Sequence, residues 1–291
     1  MQAETRSNAA RINEPFAAAA KAPPDHGRET GASRTPDRAD AASRTVELRI
    51  RRQDGPTTAP YWQSFRLEAR PGANIVSLLM DLREHCVTAS GEPVDPVAFE
   101  HNCMEEVCGA CAMLINGVPR PACSALIADL ETPIRLEPLP KFPVVRDLMV
   151  DRAQLFAQLK RVKAWIRIDG AWDNHERAPR ISPQDWAANY LYSRCMSCGC
   201  CLAACPQFGP DQAFVGPASL AQVRLMNAHP TGRHDKAERL HAIMADGGLS
   251  DCGNAQNCVR VCPKEIPLTT AIGELGRQTT VQALKDLFGG R

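Results

Sequence analysis

The sequence predicts an α+β protein made of a strand-rich front half and a helical back half. Three observations predict it. Apolar and polar residues alternate over much of 45–69, apolar residues recur at helical spacing from about residue 145 onward, and the proline-marked stretch LPKFPVV lies between the two textures. The expected organisation is an N-terminal extension over 1–44, a compact α+β domain over 45–142 and a mostly helical domain over 143–291.

The extension is rich in Ala, Pro and interspersed charge and can bury little apolar surface, so it is expected to be disordered. RTVELRIRRQ and YWQSFRLEAR then read as the arms of a β-hairpin, with Asp54-Gly55 and Pro56 in the long loop between them. ANIVSLLMDLREH follows the Pro71-Gly72 breaker with helical periodicity. After a loop of cysteines, PIRLEPLP reads as a returning strand. In the back half RDLMVDRAQLFAQLKRVKAWI, PASLAQVRLMNA, DKAERLHAIMA and PLTTAIGELGRQTTVQALKDLF are all amphipathic and expected to be helices.

Composition excludes several function classes. Net charge is +1 with no basic run, which argues against a nucleic-acid footprint. No apolar stretch approaches the roughly 18 residues that span a bilayer. The N-terminal residues lack the continuous apolar core of a secretory signal, and Glu4, Glu14, Asp25, Glu29, Asp37 and Asp40 argue against an acid-poor transit peptide. There is neither a G-x-G-x-x-G fingerprint nor a P-loop.

Cysteine carries the information. Of 13 cysteines, 12 lie between residues 103 and 262 in tight groups. An odd count, and adjacent thiols such as Cys200-Cys201, suit a disulfide framework poorly and point to metal ligands in a reducing compartment. The first group is Cys103-x₄-Cys108-x₂-Cys111 followed by Cys123. That spacing is the one found in plant-type [2Fe–2S] ferredoxins, whose β-grasp-like fold suits the front half. Gly109 can let the backbone approach closely, and the turn at Asn116-Gly117 can return Cys123 to the loop. The competing assignment is a structural zinc site, although zinc ribbons divide their ligands between two short knuckles and do not crowd three into one loop.

The second group, Cys195-x₂-Cys198-x₂-Cys201-x₃-Cys205-Pro206, is a complete bacterial-ferredoxin run. The third, CGNAQNCVRVCP, keeps that register but has Ala255 at the second position. In two-cluster ferredoxins the fourth cysteine of each run ligates the other run's cluster. The crossover gives one [4Fe–4S] cluster to Cys195, Cys198, Cys201 and Cys262. It leaves Cys205, Cys252 and Cys258 for a second cluster with no fourth thiolate, which fits [3Fe–4S]; the competing assignment is a decayed site. Cys200 fits no ligand position, and Cys86 is expected to be a buried helix-end residue. His101 and His229 are expected to be structural. Three clusters without substrate machinery suggest a wire of one-electron centres.

These motifs, over about residues 45 to 285, resemble the iron–sulfur subunit of the succinate dehydrogenase and fumarate reductase family. FVGPASLAQVRLMNAHPTG and DCGNAQNCVRVCPKEIPLTTAI look most similar to its menaquinone-using branch with a di-haem anchor. The resemblance implies no catalytic residue for dicarboxylate chemistry in this chain. It implies an FAD-containing flavoprotein subunit that oxidises succinate to fumarate, and a membrane-anchor cytochrome b through which a quinone is reached. Electrons would run through [2Fe–2S], [4Fe–4S] and [3Fe–4S] in that order, with the chain held peripherally at the cytoplasmic face of a bacterial inner membrane. In ubiquinone-reducing members a Trp pair after the first C-P and a His after the first cysteine of the last group help form the quinone pocket. Here those places read CPQFGP and Cys252-Gly253, so only Pro206 matches. Operation as a fumarate reductase, service to another flavoprotein, and a zinc-stabilised interaction protein are the alternatives.

Overall fold

The computed structural model describes residues 43–167 and 180–289. Almost all of the expected extension, residues 1–42, therefore lies outside the described residues. Strand β1 (Arg44–Arg52) pairs antiparallel with β2 (Tyr61–Ala69) along their whole lengths, from Arg44↔Ala69 to Arg52↔Tyr61. Alternation sends Val46, Leu48, Ile50 and Phe65 inward, where they meet the apolar face of α1 (Ile75–Glu84), including Leu78, Leu79 and Leu82. Asn74 starts that helix with a reciprocal cap: its side chain accepts from Ser77 N at 2.9 Å, and Ser77 Oγ accepts from Asn74 N at 3.0 Å.

A tight hairpin of β3 (Ala112–Ile115) and β4 (Val118–Pro121) follows. It turns at Asn116 and Gly117, whose φ of 47° and 81° both suit a type I′ turn. Strand β5 (Ile134–Glu137) then returns between the two hairpins, parallel to β1 and antiparallel to β3, giving a five-stranded sheet in the order β2-β1-β5-β3-β4.

The segment expected to open a long helix at Arg146 does otherwise. It forms a small hairpin of β6 (Val144–Arg146) and β7 (Met149–Val150), and α2 begins only at Ala153 and ends at Arg161. The cause is Asp147, wholly buried at the turn with φ 47°. It accepts from Arg52 Nε at 2.8 Å, Gln53 N at 3.1 Å and Ala98 N at 2.8 Å. A helix there would break that network.

The remaining described elements are helical. They are α3 (Pro183–Ser193), α4 (Cys200–Ala204), α5 (Pro217–Ala228), α6 (Lys236–Met244), α7 (Asn257–Arg260) and α8 (Leu268–Phe288). Arg224 Nε donates to Glu274 Oε2 at 2.7 Å and ties α5 to α8. Buried Arg239 donates to Asn227 Oδ1 at 2.8 Å and to the Trp165 carbonyl at 3.0 Å. Among the described residues no helix is long and apolar enough to cross a membrane.

Candidate metal centres

The first cysteine loop is shaped by left-handed residues. Met104, Glu106 and Gly109 have φ of 62°, 57° and 73°, and the resulting curl turns backbone amides inward. Val107 N and Cys108 N donate to Cys103 Sγ at 3.2 and 3.3 Å, and Ala110 N donates to Cys108 Sγ at 3.5 Å. Amides of Glu105, Val107 and Cys108 pull the Cys103 thiol down to about 6. Donors that favour a free thiolate also suit a metal-bound one. Cys111 and Cys123 flank the open end of the β3–β4 hairpin, where Ala122 N donates to Cys111 O at 3.1 Å. Both are buried, and burial reinforced by its contact with Cys111 pushes the Cys123 thiol up to about 12. The hairpin turn legible at Asn116-Gly117 is thus what returns Cys123 to the loop.

In the helical half, Cys195, Cys198, Cys201 and Cys262 line one hollow, together with Ala218, Ile266 and Leu268. Ile266 N donates to Cys262 Sγ at 3.4 Å. Cys205, Cys252 and Cys258 line a second hollow, together with Ala255, Gln207 and Phe214. Burial, then the nearby Cys205, pushes the Cys258 thiol up to about 11. Iron would replace these protons.

The two runs are near-copies in backbone. Ser197 and Gly199 flank Cys198 with φ of 52° and 86°; Asn254 and Gln256 flank Ala255 with φ of 51° and 60°. Gly199 then caps the start of α4 and Gln256 the start of α7. Ala255 therefore occupies the second ligand place of its run with the loop conformation kept.

The donor sets fit iron–sulfur clusters. Four sulfurs round one hollow suit a cubane with an iron for each, and three sulfurs round its neighbour suit a cluster lacking one iron. Among the described residues no three of His, Cys, Asp and Glu are grouped closely enough to hold a single metal ion.

Cys200 is wholly buried beside Cys198, and their hydrogen bond holds Cys198 down at about 7. Cys86 is half-buried just past α1, with its thiol 3.5 Å from the Asp95 carbonyl, which corrects the expectation of a fully buried residue. His229 Nδ1 accepts from Thr231 N and Gly232 N at 3.2 and 3.3 Å, a turn-closing role, and His101 stacks on Phe99.

Two residues beside Cys205 and Cys252 were not marked by the cysteine pattern. Lys141 Nζ donates to the Cys205 carbonyl from the joint between the halves. The Gln207 side chain fills the space over Gly253, where a Cβ would lie 2.5 Å from Gln207 Nε2. A side chain at 253 and the present place of Gln207 are mutually exclusive. Lys141 brings a cation beside Cys205, so Lys141→Met is expected to lower the reduction potential of a cluster bound there. A unit charge several ångströms away is worth about 1–2 kcal/mol at an effective dielectric of about 20. That is on the order of 50 mV for a one-electron couple, read by an EPR redox titration.

Comparison with known proteins agrees with this geometry. Residues 47–157 match the family described as "2Fe-2S iron-sulfur cluster binding domain", and residues 192–266 match "4Fe-4S dicluster domain". The chain is similar to the succinate dehydrogenase iron–sulfur subunit of Bacillus subtilis (strain 168). Identity is 52% over 248 residues, which cover 84% of this chain and 97% of that protein. It is 32% identical over 240 residues to the fumarate reductase iron–sulfur subunit of Wolinella succinogenes, covering 81% of this chain and 97% of the relative. Among solved structures, a chain of the "Mycobacterium smegmatis Sdh1 complex in the apo form" superposes with a TM-score of 0.71. It has 21% identity and covers 84% of this chain and 99% of that one, which shows a shared fold.

Proposed function

The chain belongs to the family of electron-transfer iron–sulfur subunits of succinate dehydrogenase and fumarate reductase, and from that premise we propose its place and ligands in such a complex. Cys103, Cys108, Cys111 and Cys123 hold a [2Fe–2S] cluster. Cys195, Cys198, Cys201 and Cys262 hold a [4Fe–4S] cluster, and Cys205, Cys252 and Cys258 hold a [3Fe–4S] cluster. The observation that carries this assignment is the partition of seven cysteines between two hollows, four in one and three with Ala255 in the other. When bound, the clusters supply one-electron carriers between a two-electron flavin and a quinone.

The chain's own residues hold those carriers in order, donate amides to their sulfurs and shield them from water. The division into residues 1–44, 45–142 and 143–291 belongs to the same proposal. So does peripheral attachment at the cytoplasmic face of a bacterial inner membrane, between an FAD-containing flavoprotein and a cytochrome b anchor. Succinate oxidation is favoured as the direction, because the identity to the Bacillus subtilis succinate dehydrogenase subunit is the higher of the two. Menaquinone is favoured as the acceptor. Gly253 and Gln207 stand where ubiquinone-reducing members place pocket residues, and Gln207 fills the space above Gly253.

The test is purification of the intact complex on a tagged copy of this chain. The expected result is co-purification of a flavoprotein and a membrane cytochrome, succinate-dependent reduction of a menaquinone analogue, and EPR signals of three distinct clusters. A colourless, EPR-silent preparation would sink the proposal.

A further inference from the structure

Gly109 sits between Cys108 and Cys111 with φ 73°, and its open face is pressed against the second cysteine run. A Cβ at that position would stand 2.8 Å from Cys198 Cα, 2.9 Å from Cys198 Cβ and 2.9 Å from the Met196 carbonyl oxygen. The two loops therefore touch backbone to backbone. Arg152, just ahead of α2, holds them there. Its Nη1 donates to Gly109 O at 2.9 Å and its Nη2 to Ala110 O at 2.6 Å, while Glu100 lies 3.8 Å away. The Arg152 side chain is only 15% exposed, so both hydrogen bonds are shielded from competing water.

We propose that this contact is the electron bridge between the first cysteine loop and the 195–206 run, with Gly109 setting the gap and Arg152 locking it. The inference rests on the cluster assignments proposed above. A covalent path runs from Cys108 Sγ through its backbone to Gly109 Cα, crosses one non-bonded step to Cys198, and continues to Cys198 Sγ. Tunnelling through protein weakens steeply with every added non-bonded ångström, so the closest step governs the path. Two of the three atoms that meet Gly109 are backbone and cannot swing aside for a side chain. One electron crosses: the centre on the first loop is oxidised, the centre on Cys198 is reduced, and no bond or proton changes place.

The test uses the whole complex in wild-type, Gly109→Ala and Arg152→Gln forms. EPR reads two quantities. One is the microwave power that saturates the dithionite-reduced [2Fe–2S] signal, which reports the nearness of the second paramagnet. The other is the rate at which the [3Fe–4S] signal disappears after rapid mixing with succinate. Gly109→Ala is expected to keep all three signals, to saturate at several-fold lower power, and to reduce the three-iron centre several-fold more slowly. Reduction of its [2Fe–2S] centre should keep the wild-type rate.

Wild-type values for either quantity in Gly109→Ala would overturn the proposal. Should that variant assemble without clusters, Arg152→Gln decides. It adds no atom at the contact, and it is expected to shift both quantities the same way by a smaller factor; wild-type behaviour there overturns the proposal as well. A wild-type complex without [2Fe–2S] or [4Fe–4S] signals is a different failure, that of the cluster assignment, and is visible before any variant is made.

Discussion

Ala255→Cys is expected to replace the three-iron signal proposed for the complex with that of a second four-iron cluster. The backbone is already set for the extra ligand. Position 255 lines the second hollow, and its neighbours Asn254 and Gln256 hold the left-handed conformations that Ser197 and Gly199 hold around Cys198. Ala255 is itself exposed, so a sulfur added there displaces nothing from the core. A fourth iron changes cluster type and charge, two of the factors that spread iron–sulfur potentials over about a volt, and a fall on the order of a few hundred millivolts is expected. Under the proposed order of carriers, quinone reduction should fall with it, because the last carrier would no longer attract the electron. EPR of the oxidised complex together with a redox titration checks both outcomes. Ala255→Ser, whose hydroxyl is a poor ligand for iron, should leave the three-iron signal in place.

Breaking the Arg52–Asp147 pair is expected to cost about 3–5 kcal/mol of stability, because removing one partner strands the other as a buried, uncompensated charge. The two side chains are 1% and 0% exposed and lie 2.8 Å apart. Arg52 also donates to Gln63 Oε1 at 2.7 Å and to the Asp95 carbonyl at 3.1 Å. Together these bonds join β1, β2, the 95–98 segment and the β6–β7 turn. Arg52→Met or Asp147→Leu should unfold at lower denaturant and lose the [2Fe–2S] colour at lower temperature. The double variant Arg52→Met/Asp147→Leu should recover much of the loss, since an apolar pair strands no charge. Equal losses in the single and double variants would show that the pair acts through packing alone.

The parts of this architecture that local pattern controls were legible in the sequence. PASLAQVRLMNA forms α5 over its full length, and the other two downstream amphipathic segments form α6 and α8. Cysteine spacing, which metal geometry constrains, located the seven cysteines that line the two hollows. What escaped depends on partners distant in sequence. Arg146 to Val150 has helix-compatible periodicity, but Asp147 is claimed by Arg52, 95 residues earlier, and the segment becomes a hairpin. Period-two counting places Arg52 on the inward face of β1 with Val46, Leu48 and Ile50, so its burial is written in the strand pattern even though its partner is not. The close approach of Gly109 to Cys198 and the placing of Lys141 over Cys205 join the two halves, and no local pattern encodes them.

The likeness of the two runs has a consequence for how traffic moves through the molecule. At Cys198 the outer face of the loop is covered by the chain's own Gly109. At the corresponding place in the other run, Asn254, Ala255 and Gln256 are all exposed. Among the described residues one duplicate is a sealed joint and the other an open socket. Among the described residues, then, the loop at Ala255 is left open where the loop at Cys198 is covered.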